Sequence, residues 1–233
     1  MKLVAFTSFK GGSGKSTTLM AVASILAETG VKIACFEADD NEPLSAWQEY
    51  GRQINTWDDN CHIFGALDVD QFGASYEEAE ANGCEIGLID TRGGGSDLNQ
   101  AVLINATMVI IPTGISVIEV DEALETLKYV VEFMKAMKIA RPVGISVNRV
   151  PTGKLSKSEE DSLALLREMP TLDAKLPARR IYSEMKSLGH LHLYHKALLE
   201  TPSKRIAAGH TQVALTETRT FTDELMAALE GES

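Results

Sequence analysis

A short segment near the start of the chain combines glycine, lysine and hydroxyl residues in a pattern that can bind phosphate. Residues Phe9–Thr18 read FKGGSGKSTT and follow the apolar run Leu3–Ser8. Glycines let successive backbone N–H groups curl around an anion, and the N-terminus of a following helix adds partial positive charge. We therefore predict a phosphate-binding loop in which the Lys15 ammonium bridges the β- and γ-phosphates and the Ser16 hydroxyl binds Mg²⁺.

Acidic residues follow two of the predicted strands. FEADDNEP brings Glu37, Asp39 and Asp40 to the end of the run Lys32–Glu37, and EIGLID ends in Asp90. Nucleotide-binding α/β proteins hold their ligands at the carboxyl ends of strands, so these acids are expected to face the phosphates. A carboxylate in the position of Asp90 holds Mg²⁺ through water. The glycines 93–95 that follow are predicted to form a loop able to sense the γ-phosphate.

Short apolar runs alternate with longer amphipathic segments along the 233 residues. This alternation predicts βαβ units in a doubly wound, mostly parallel α/β sheet with helices on both faces, in a single domain over residues 1–233. The predicted strands are Leu3–Ser8, Lys32–Glu37, His62–Ala66, Ile86–Asp90, Met108–Pro112 and Val143–Asn148, with one more in TLDAKLP after Pro170. The predicted helices are Ser16–Thr29, Leu44–Tyr50, Phe72–Asn82, Asp97–Ala106, Val120–Lys138, Ser158–Met169, Arg179–Leu188, Lys196–Ala207 and Gln212–Leu229.

The glycine-rich loop departs from the standard pattern G-x-x-x-x-G-K-[ST], because Phe9 stands where the first glycine belongs. The sequence KGGSGKS instead resembles the deviant Walker A motif of the ParA/MinD superfamily of P-loop ATPases. This resemblance implies slow, Mg²⁺-dependent hydrolysis of ATP to ADP. It also implies an ATP-sandwich homodimer in which Lys10 reaches the phosphates held by the partner subunit. The implied nucleotide-binding residues of the loop are Lys10, Gly11, Gly12, Ser13, Gly14, Lys15, Ser16 and Thr17.

The same resemblance extends to positions outside the loop. Glu37 and Asp39 match the two acids of the superfamily segment D-x-D-P-Q, and the second acid orients the attacking water. Glu37 in place of aspartate and Asp40 in place of proline leave open which of the three acids has this role. Asn148 ends a strand where the superfamily has an adenine-recognising amide, and Pro177 borders the base. The candidate catalytic residues are Lys10, Lys15 and Asp39, and the candidate metal residues are Ser16, Asp39 and Asp90.

Two arginines near these motifs have no firm assignment from the sequence. Arg92 stands where the superfamily commonly has proline, and we expect it to pair with a surface acid rather than with phosphate. Arg149 follows Asn148 directly, and its role is left open.

The charge of the chain is unevenly distributed. The net charge of −11 argues against a protein that coats nucleic acid with its whole surface. Residues 58–90 contain nine acids and no Lys or Arg, whereas residues 171–210 contain seven basic residues against three acids. The candidate DNA-phosphate contacts are Lys154, Lys157, Arg179, Arg180, Lys186, Lys196, Lys204, Arg205 and Arg219.

Several short sequence segments resemble one branch of the superfamily. SFKGGSGKST, FEADDNEPLSAW, DTRGGG, RVPTGKL and MKSLGHLHL resemble the VirC-type overdrive-binding virulence ATPases of T-DNA transfer plasmids. That resemblance implies binding to DNA beside the transferred segment, together with relaxase and processing proteins and a secretion-channel coupling protein at a cell pole. A ParA-type plasmid or chromosome partition ATPase is the alternative. A small-molecule ligase or kinase of the dethiobiotin-synthase type is disfavoured, because no substrate-binding insertion is evident.

The remaining cysteine, histidine and terminal signals are weaker. Cys35, Cys61 and Cys84 have no CxxC spacing and are predicted to be buried free thiols in a reducing cytoplasm.

A His-x-His pair on a strand would put His190 and His192 on one face as a metal site requires, but no third ligand type accompanies them. We therefore expect a surface or interface role for these histidines and for His195. The acidic tail FTDELMAALEGES argues against a membrane anchor. Nucleoid or polar localisation would then depend on partners.

Overall fold

Seven parallel strands form one sheet in residues 1–92 and 95–231, the part of the chain that this computed structural model describes. In chain order the strands are β1 (Lys2–Phe6), β2 (Ile33–Glu37), β3 (Cys61–Gly65), β4 (Ile86–Asp90), β5 (Met108–Thr113), β6 (Val143–Val150) and β7 (Leu176–Pro177). Their order in the sheet is β3-β2-β4-β1-β5-β6-β7, with all pairs parallel. The predicted doubly wound parallel sheet is confirmed, including the additional strand after Pro170.

Helices connect successive strands and cover both faces of the sheet. In chain order they are α1 (Lys15–Glu28), α2 (Pro43–Gln53), α3 (Val69–Ala81), α4 (Asp97–Asn105), α5 (Val117–Ala136), α6 (Lys157–Leu166), α7 (Arg180–Ser183), α8 (Leu191–Leu199) and α9 (Arg205–Glu230). Core side chains from α1, α2, α8 and α9 form one apolar cluster, and those from α3, α4, α5 and α6 form the other. The strands β1, β2, β4 and β5 in the middle of the sheet are therefore covered on both faces.

The central strands are apolar on both faces because both faces are covered. In β1, Val4 and Phe6 belong to one core cluster, and Leu3 and Ala5 belong to the other. This period of two is what a pleated strand requires when helices lie above and below it. The carboxyl ends of β1 and β4 consequently lie side by side, with Phe6 paired to Asp90. The predicted phosphate loop and the predicted metal carboxylate thus emerge at neighbouring points of one sheet edge.

The chain differs from the sequence prediction after residue 190. A single helix over Lys196–Ala207 is wrong, since α8 ends at Leu199, a 3₁₀ turn covers Pro202–Lys204, and α9 begins at Arg205. The cause is Pro202, which has no backbone N–H and keeps the preceding Thr201 in an extended conformation. The change of direction lets α9 pack along α1 and α8.

The histidine cluster also differs from the expectation. His190 and His192 do not lie on a strand, because His190 is the N-cap of α8 and His192 is in its first turn. His190 is fully buried, with ring centroids 4.6 and 4.7 Å from those of Trp47 and Trp57, so a surface role for this residue is wrong. The ring of His192 lies 3.1 Å from the Asp58 carboxylate. Burial lowers the pKa of His190 well below its ordinary value.

The three cysteines agree with the sequence prediction. Cys35, Cys61 and Cys84 are free and buried, as predicted. Within the described residues, no helix combines the length and apolarity that crossing a bilayer requires. The same residues contain no group of three or more His, Cys, Asp or Glu side chains placed to hold a metal ion.

The buried His190 should make the stability of the protein fall in mild acid. Because its folded-state pKa lies below its ordinary value of 6.5, the unfolded chain binds a proton that the folded chain does not. Between pH 6.5 and 5 this residue should remove up to about 1.4 kcal/mol of unfolding free energy per pH unit. His190→Leu should abolish that contribution. Urea unfolding followed by far-ultraviolet circular dichroism at pH 5, 6, 7 and 8 measures it.

Other titrating groups are common to both proteins and cancel in the difference between wild type and variant. Substituting the exposed His210 of α9 with leucine is the matched control, and it should leave the wild-type pH profile unchanged. Parallel pH profiles for wild type and His190→Leu would contradict the assignment.

Candidate nucleotide-binding site

The glycine-rich loop lies between β1 and α1 at the carboxyl edge of the sheet. Gly12 and Gly14 have φ angles of +83° and +98°, a region that residues with a Cβ rarely adopt. Gly14 is the N-cap of α1, and no side chain caps the helix. The backbone N–H groups of the first helical turn, from Lys15 to Thr17, are therefore available to an anion.

A chain of hydrogen bonds ties β6 to the start of α1. Asn148 Nδ2 donates to Thr18 Oγ1 at 2.7 Å, and Thr18 Oγ1 donates to the Gly14 carbonyl at 2.8 Å. A Cβ on Gly14 would lie 2.9 Å from Asn148 Nδ2, which is closer than real Cβ contacts. Glycine is thus required at position 14 both by its φ angle and by the approach of Asn148. The structure brings the predicted base-recognising amide directly beside the predicted phosphate loop.

The predicted metal residues Ser16 and Asp90 are in direct contact. The Ser16 hydroxyl donates a hydrogen bond to the Asp90 carboxylate, which is almost completely buried. Burial raises the pKa of Asp90, while the Ser16 hydrogen bond and the charge of Lys15 act in the opposite direction. A hydroxyl and a buried carboxylate at the mouth of a phosphate loop are oxygen ligands of the kind that Mg²⁺ uses. These residues fit the ion.

The three acids after β2 have different environments. Glu37 is buried, and its Oε2 accepts hydrogen bonds from the N–H groups of Leu44 and Ser45 at 2.7 and 2.9 Å. Burial raises the pKa of Glu37 to about 7, although these two N–H groups oppose the shift. The Glu37 carboxyl therefore caps α2 and is unlike a solvated carboxylate that could orient water.

The other two acids contrast with each other. Asp40 forms an ion pair with Arg92, whose Nε also donates to the Ala38 carbonyl at 2.6 Å, so Arg92 pairs with a surface acid as expected. Asp39 Oδ1 accepts from the backbone and side-chain N–H of Asn41 at 2.8 and 2.9 Å. Its Oδ2 has no recorded partner among the described residues. Of the three candidates, Asp39 has the carboxylate that is most available.

A cavity of about 400 Å³ opens beside the loop, within the size range of small-ligand sites. It contains Gly14, Thr17, Asn148 and Pro177 from the predicted site. Its remaining lining is Arg149, Leu176, Ala178, Arg179, Arg180, Tyr182 and Ser183. A largely apolar slot adjoining the phosphate loop and containing one amide has the character of a nucleobase site.

Lys10 contacts helix α5 rather than the glycine cradle, by which we mean the loop Gly11–Gly14 and the first turn of α1. Its Nζ lies 2.8 Å from Glu122 Oε1, and its side chain is 55% exposed. The preceding Phe9 donates its N–H to Thr126 Oγ1 at 3.3 Å. Glu122 and Thr126 were not expected from the sequence. The Ser116-x-x-Glu119 capping box at the start of α5 is visible in the sequence, but its contact with the loop depends on the tertiary structure.

The candidate DNA-binding cations fall into two groups. Four of them are held in ion pairs within the chain: Lys157 with Asp161, Arg179 with Glu217, Arg180 with Glu184, and Arg219 with Glu28. For the others, the described part of the chain contains no recorded ion-pair partner: Lys154, Lys186, Lys196, Lys204 and Arg205. Arg179 and Arg180 line the cavity rather than an open surface.

One predicted element of the site falls largely outside the structure. Gly93 and Gly94, two of the three glycines expected to sense the γ-phosphate, lie outside the described residues. Gly95 is described, and a Cβ there would lie 3.1 Å from the Tyr129 hydroxyl.

The sheet order, the glycine cradle and the adjoining carboxylate define a P-loop nucleotide-binding fold of the MinD/ParA type. The sequence matches the family described as VirC1 protein over residues 1–231, and the chain belongs to this family. It is 36% identical to protein virC1 of Rhizobium rhizogenes over 230 residues, covering 99% of this chain and 100% of that relative.

Two solved structures show the same fold at low sequence identity. The MinC:MinD cell division protein complex of Aquifex aeolicus matches with a TM-score of 0.66 and 18% identity, covering 97% of this chain and 96% of that one. The septum site-determining protein MinD of Pyrococcus horikoshii, complexed with Mg-ADP, matches with a TM-score of 0.62 and 16% identity, covering 96% and 95% of the two chains.

The two constraints at position 14 predict a sharp difference between neighbouring glycines. Gly14→Ala should weaken ADP binding by about tenfold or more, because the new Cβ strains the backbone and displaces Asn148. Gly11→Ala should stay within about threefold of wild type, since a Cβ at that position would have no atom within 4 Å and its φ is not in the left-handed region. Isothermal titration with Mg-ADP measures both. Equal losses of affinity for the two variants would contradict the role of Gly14.

Proposed function

We propose that this protein is a Mg²⁺-dependent ATPase that dimerises with ATP, binds DNA and positions a DNA-processing complex for T-DNA transfer. The observation that carries the proposal is the arrangement at the sheet edge. Glycines in the left-handed region precede a helix without a capping side chain, and Ser16 contacts Asp90 beside them. The Lys10 side chain contacts Glu122 of α5. Membership of the VirC1 family supports the transfer role, and a MinD structure of the same fold contains Mg-ADP.

The residues of this chain have distinct roles in the proposed reaction. The loop amides and Lys15 bind the phosphates, and the Asn148 side chain and the apolar slot beside Pro177 bind adenine. Ser16 and Asp90 would hold Mg²⁺, with Asp39 nearby, and the ion would neutralise charge on the phosphates. Asp39 orients the attacking water, because the Glu37 carboxyl caps α2 and Asp40 pairs with Arg92.

The position of Lys10 favours action on a second subunit. Its ammonium is bound to Glu122 on the outer side of the loop and is more than half exposed, so it is accessible to another protomer. A cation placed on the transferring phosphoryl group only after two chains meet would make hydrolysis depend on dimerisation.

DNA contact is assigned to the four cations without internal partners that follow α7 in the chain. Lys186, Lys196, Lys204 and Arg205 come from consecutive elements between α7 and α9. Because the whole chain carries a net charge of −11, a local basic strip is the part able to bind a phosphate backbone. Dimerisation would double the strip and make DNA binding depend on ATP. Relaxase and processing proteins and a secretion-channel coupling protein are the proposed partners, in the cytoplasm and at a cell pole.

Lys10→Ala should bind ATP but fail to dimerise. We expect the dimer dissociation constant to rise by roughly 30-fold or more, because the variant cannot form a charge-assisted hydrogen bond across the interface. Light scattering after gel filtration with a non-hydrolysable ATP analogue measures it. Lys15→Ala should lose nucleotide binding itself, and Lys157→Ala, at a surface lysine paired with Asp161, should dimerise normally. A Lys10→Ala variant that dimerises like wild type would overturn the sandwich.

Removing the unpaired cations should weaken DNA binding and its salt dependence. Lys196→Ala/Lys204→Ala/Arg205→Ala should lower the slope of log affinity against log salt by about 0.9 for each DNA phosphate that the variant no longer neutralises. The matched control is Lys157→Ala/Arg219→Ala, whose side chains are paired with Asp161 and Glu28. Gel shifts with and without ATP, on DNA containing a transfer border and on scrambled DNA, give both affinity and specificity. An unchanged slope in the triple variant would contradict the assignment.

A further inference from the structure

Arg149 joins the glycine cradle to helix α5. Its Nη1 donates to the Gly12 carbonyl at 2.5 Å, and its Nη2 forms an ion pair with the Glu119 carboxylate. We propose that Arg149 is a positioning residue that orients the Gly12–Ser13 peptide for phosphate binding, and that Glu119 holds Arg149 in place for this task. The proposal rests on the nucleotide-binding function proposed above and adds two residues to it.

The backbone at Arg149 is unusual for a strand. Arg149 has a φ of +55°, although it is not a glycine, and the pairing of β6 with β7 shifts register between Asn148 and Val150. A left-handed conformation costs a residue with a Cβ about 1 kcal/mol or more, so it persists only where the surroundings impose it. Here the bulge allows Asn148 to reach Thr18 while the next residue reaches the loop. Two consecutive residues of one strand thus contact the glycine loop and the first turn of α1.

The hydrogen bond to Gly12 determines which way the next amide faces. In a planar trans peptide the C=O and the following N–H point in opposite directions. Arg149 holds the Gly12 C=O towards itself and Glu119, so the Ser13 N–H points to the opposite side of the loop. Within the described residues, neither the Ser13 N–H nor the buried Ser13 hydroxyl has a hydrogen-bond partner in the chain. An unpaired N–H next to a left-handed glycine is an element of an anion-binding nest.

Glu119 is a fixed support rather than a mobile surface acid. Its Oε2 accepts from the Ser116 hydroxyl at 2.6 Å and the Ser116 N–H at 3.3 Å, in the capping box of α5. It also packs on Gly114, where a Cβ would lie 2.3 Å from Oε2. Arg149 is therefore attached to a rigid helix end. Its planar guanidinium bonds Glu119 with one nitrogen and Gly12 with the other, so the Gly12 carbonyl is held in a fixed direction.

The same face of α5 supports the loop at two further points. Glu122 holds Lys10, and Thr126 accepts from the N–H of Phe9. Residues 119, 122 and 126 are spaced by three and four positions, which places them on one side of a helix. The first half of α5 thus supports the loop through three side chains.

A different role for Arg149 makes the opposite prediction. If Arg149 were a direct phosphate ligand that Glu119 keeps away from the site, then removing the Glu119 charge would release it and tighten nucleotide binding. If Arg149 positions the Gly12–Ser13 peptide, then removing that charge loosens the support and weakens binding. Glu119→Gln separates the two cases cleanly, because glutamine preserves the capping box.

The test compares the affinities of ADP and AMP for wild type, Arg149→Ala, Arg149→Lys, Glu119→Gln and the double variant Arg149→Ala/Glu119→Gln by isothermal titration. We expect ADP to bind about tenfold more weakly to Arg149→Ala and roughly threefold more weakly to Glu119→Gln. Arg149→Lys should rescue little, since an ammonium lacks the two-pronged geometry. The double variant should be no weaker than Arg149→Ala, because both residues act through one hydrogen bond to Gly12.

Because Arg149 also lines the base cavity, AMP is used to separate an effect on phosphate binding from an effect on base binding. AMP affinity should fall by less than ADP affinity in each variant, because AMP brings one phosphate to the loop amides and ADP brings two. Arg180→Ala, at a cavity arginine whose side chain pairs with Glu184, is the matched control and should leave the ratio of ADP to AMP affinity unchanged.

The outcomes separate this inference from the proposed function. A wild-type protein that does not bind Mg-ADP would overturn the nucleotide-binding function itself. If the wild type binds ADP, then an unchanged ADP affinity of Arg149→Ala would overturn only the positioning role. Tighter ADP binding by Glu119→Gln would have the same consequence. Thermal melts without nucleotide show which variants are folded. Should Arg149→Ala unfold, the sign of the Glu119→Gln effect decides alone.

Discussion

The structure depends on a set of backbone N–H groups that the chain leaves for an anion. A buried strand must end, the backbone must turn through two left-handed glycines, and a helix must start without a capping side chain. Each of these features leaves donors unsatisfied, which is unfavourable unless a ligand or solvent accepts their hydrogen bonds. The surrounding contacts stabilise this geometry from outside: Asn148 through Thr18, Arg149 through Gly12, and Thr126 through Phe9.

The charged groups near the cradle are arranged in pairs of opposite sign. Lys10 and Arg149 contact acids one turn apart on α5, and Arg92 contacts Asp40. Such pairs contribute little to stability where they are exposed, but they determine where each cation lies before ligand binds. In the proposed dimer, a triphosphate held by the second protomer would compete with Glu122 for Lys10.

The deviations from the superfamily pattern have structural counterparts. Glu37, longer than the usual aspartate, reaches the first turn of α2 and caps it. Asp40 and Arg92, which stand at two positions where proline is common in the superfamily, form an ion pair with each other. The sequence suggested that Arg92 pairs with an acid, but not with which one, because residues 40 and 92 meet only when β2 and β4 lie side by side. Pairs of this kind are separated along the chain and have no local signature.

The sequence alone determined the alternation of strands and helices, the glycine loop, and Asp90 at the end of β4. Local signals suffice for these, since strand burial, glycine spacing and a terminal carboxylate are properties of short segments. The folded structure was needed to show that His190 is buried against two tryptophans, that four candidate DNA-binding cations form ion pairs within the chain, and that Glu119, Glu122 and Arg149 surround the loop. These contacts join residues brought together by sheet order and helix packing, and composition and spacing carry no information about such distances.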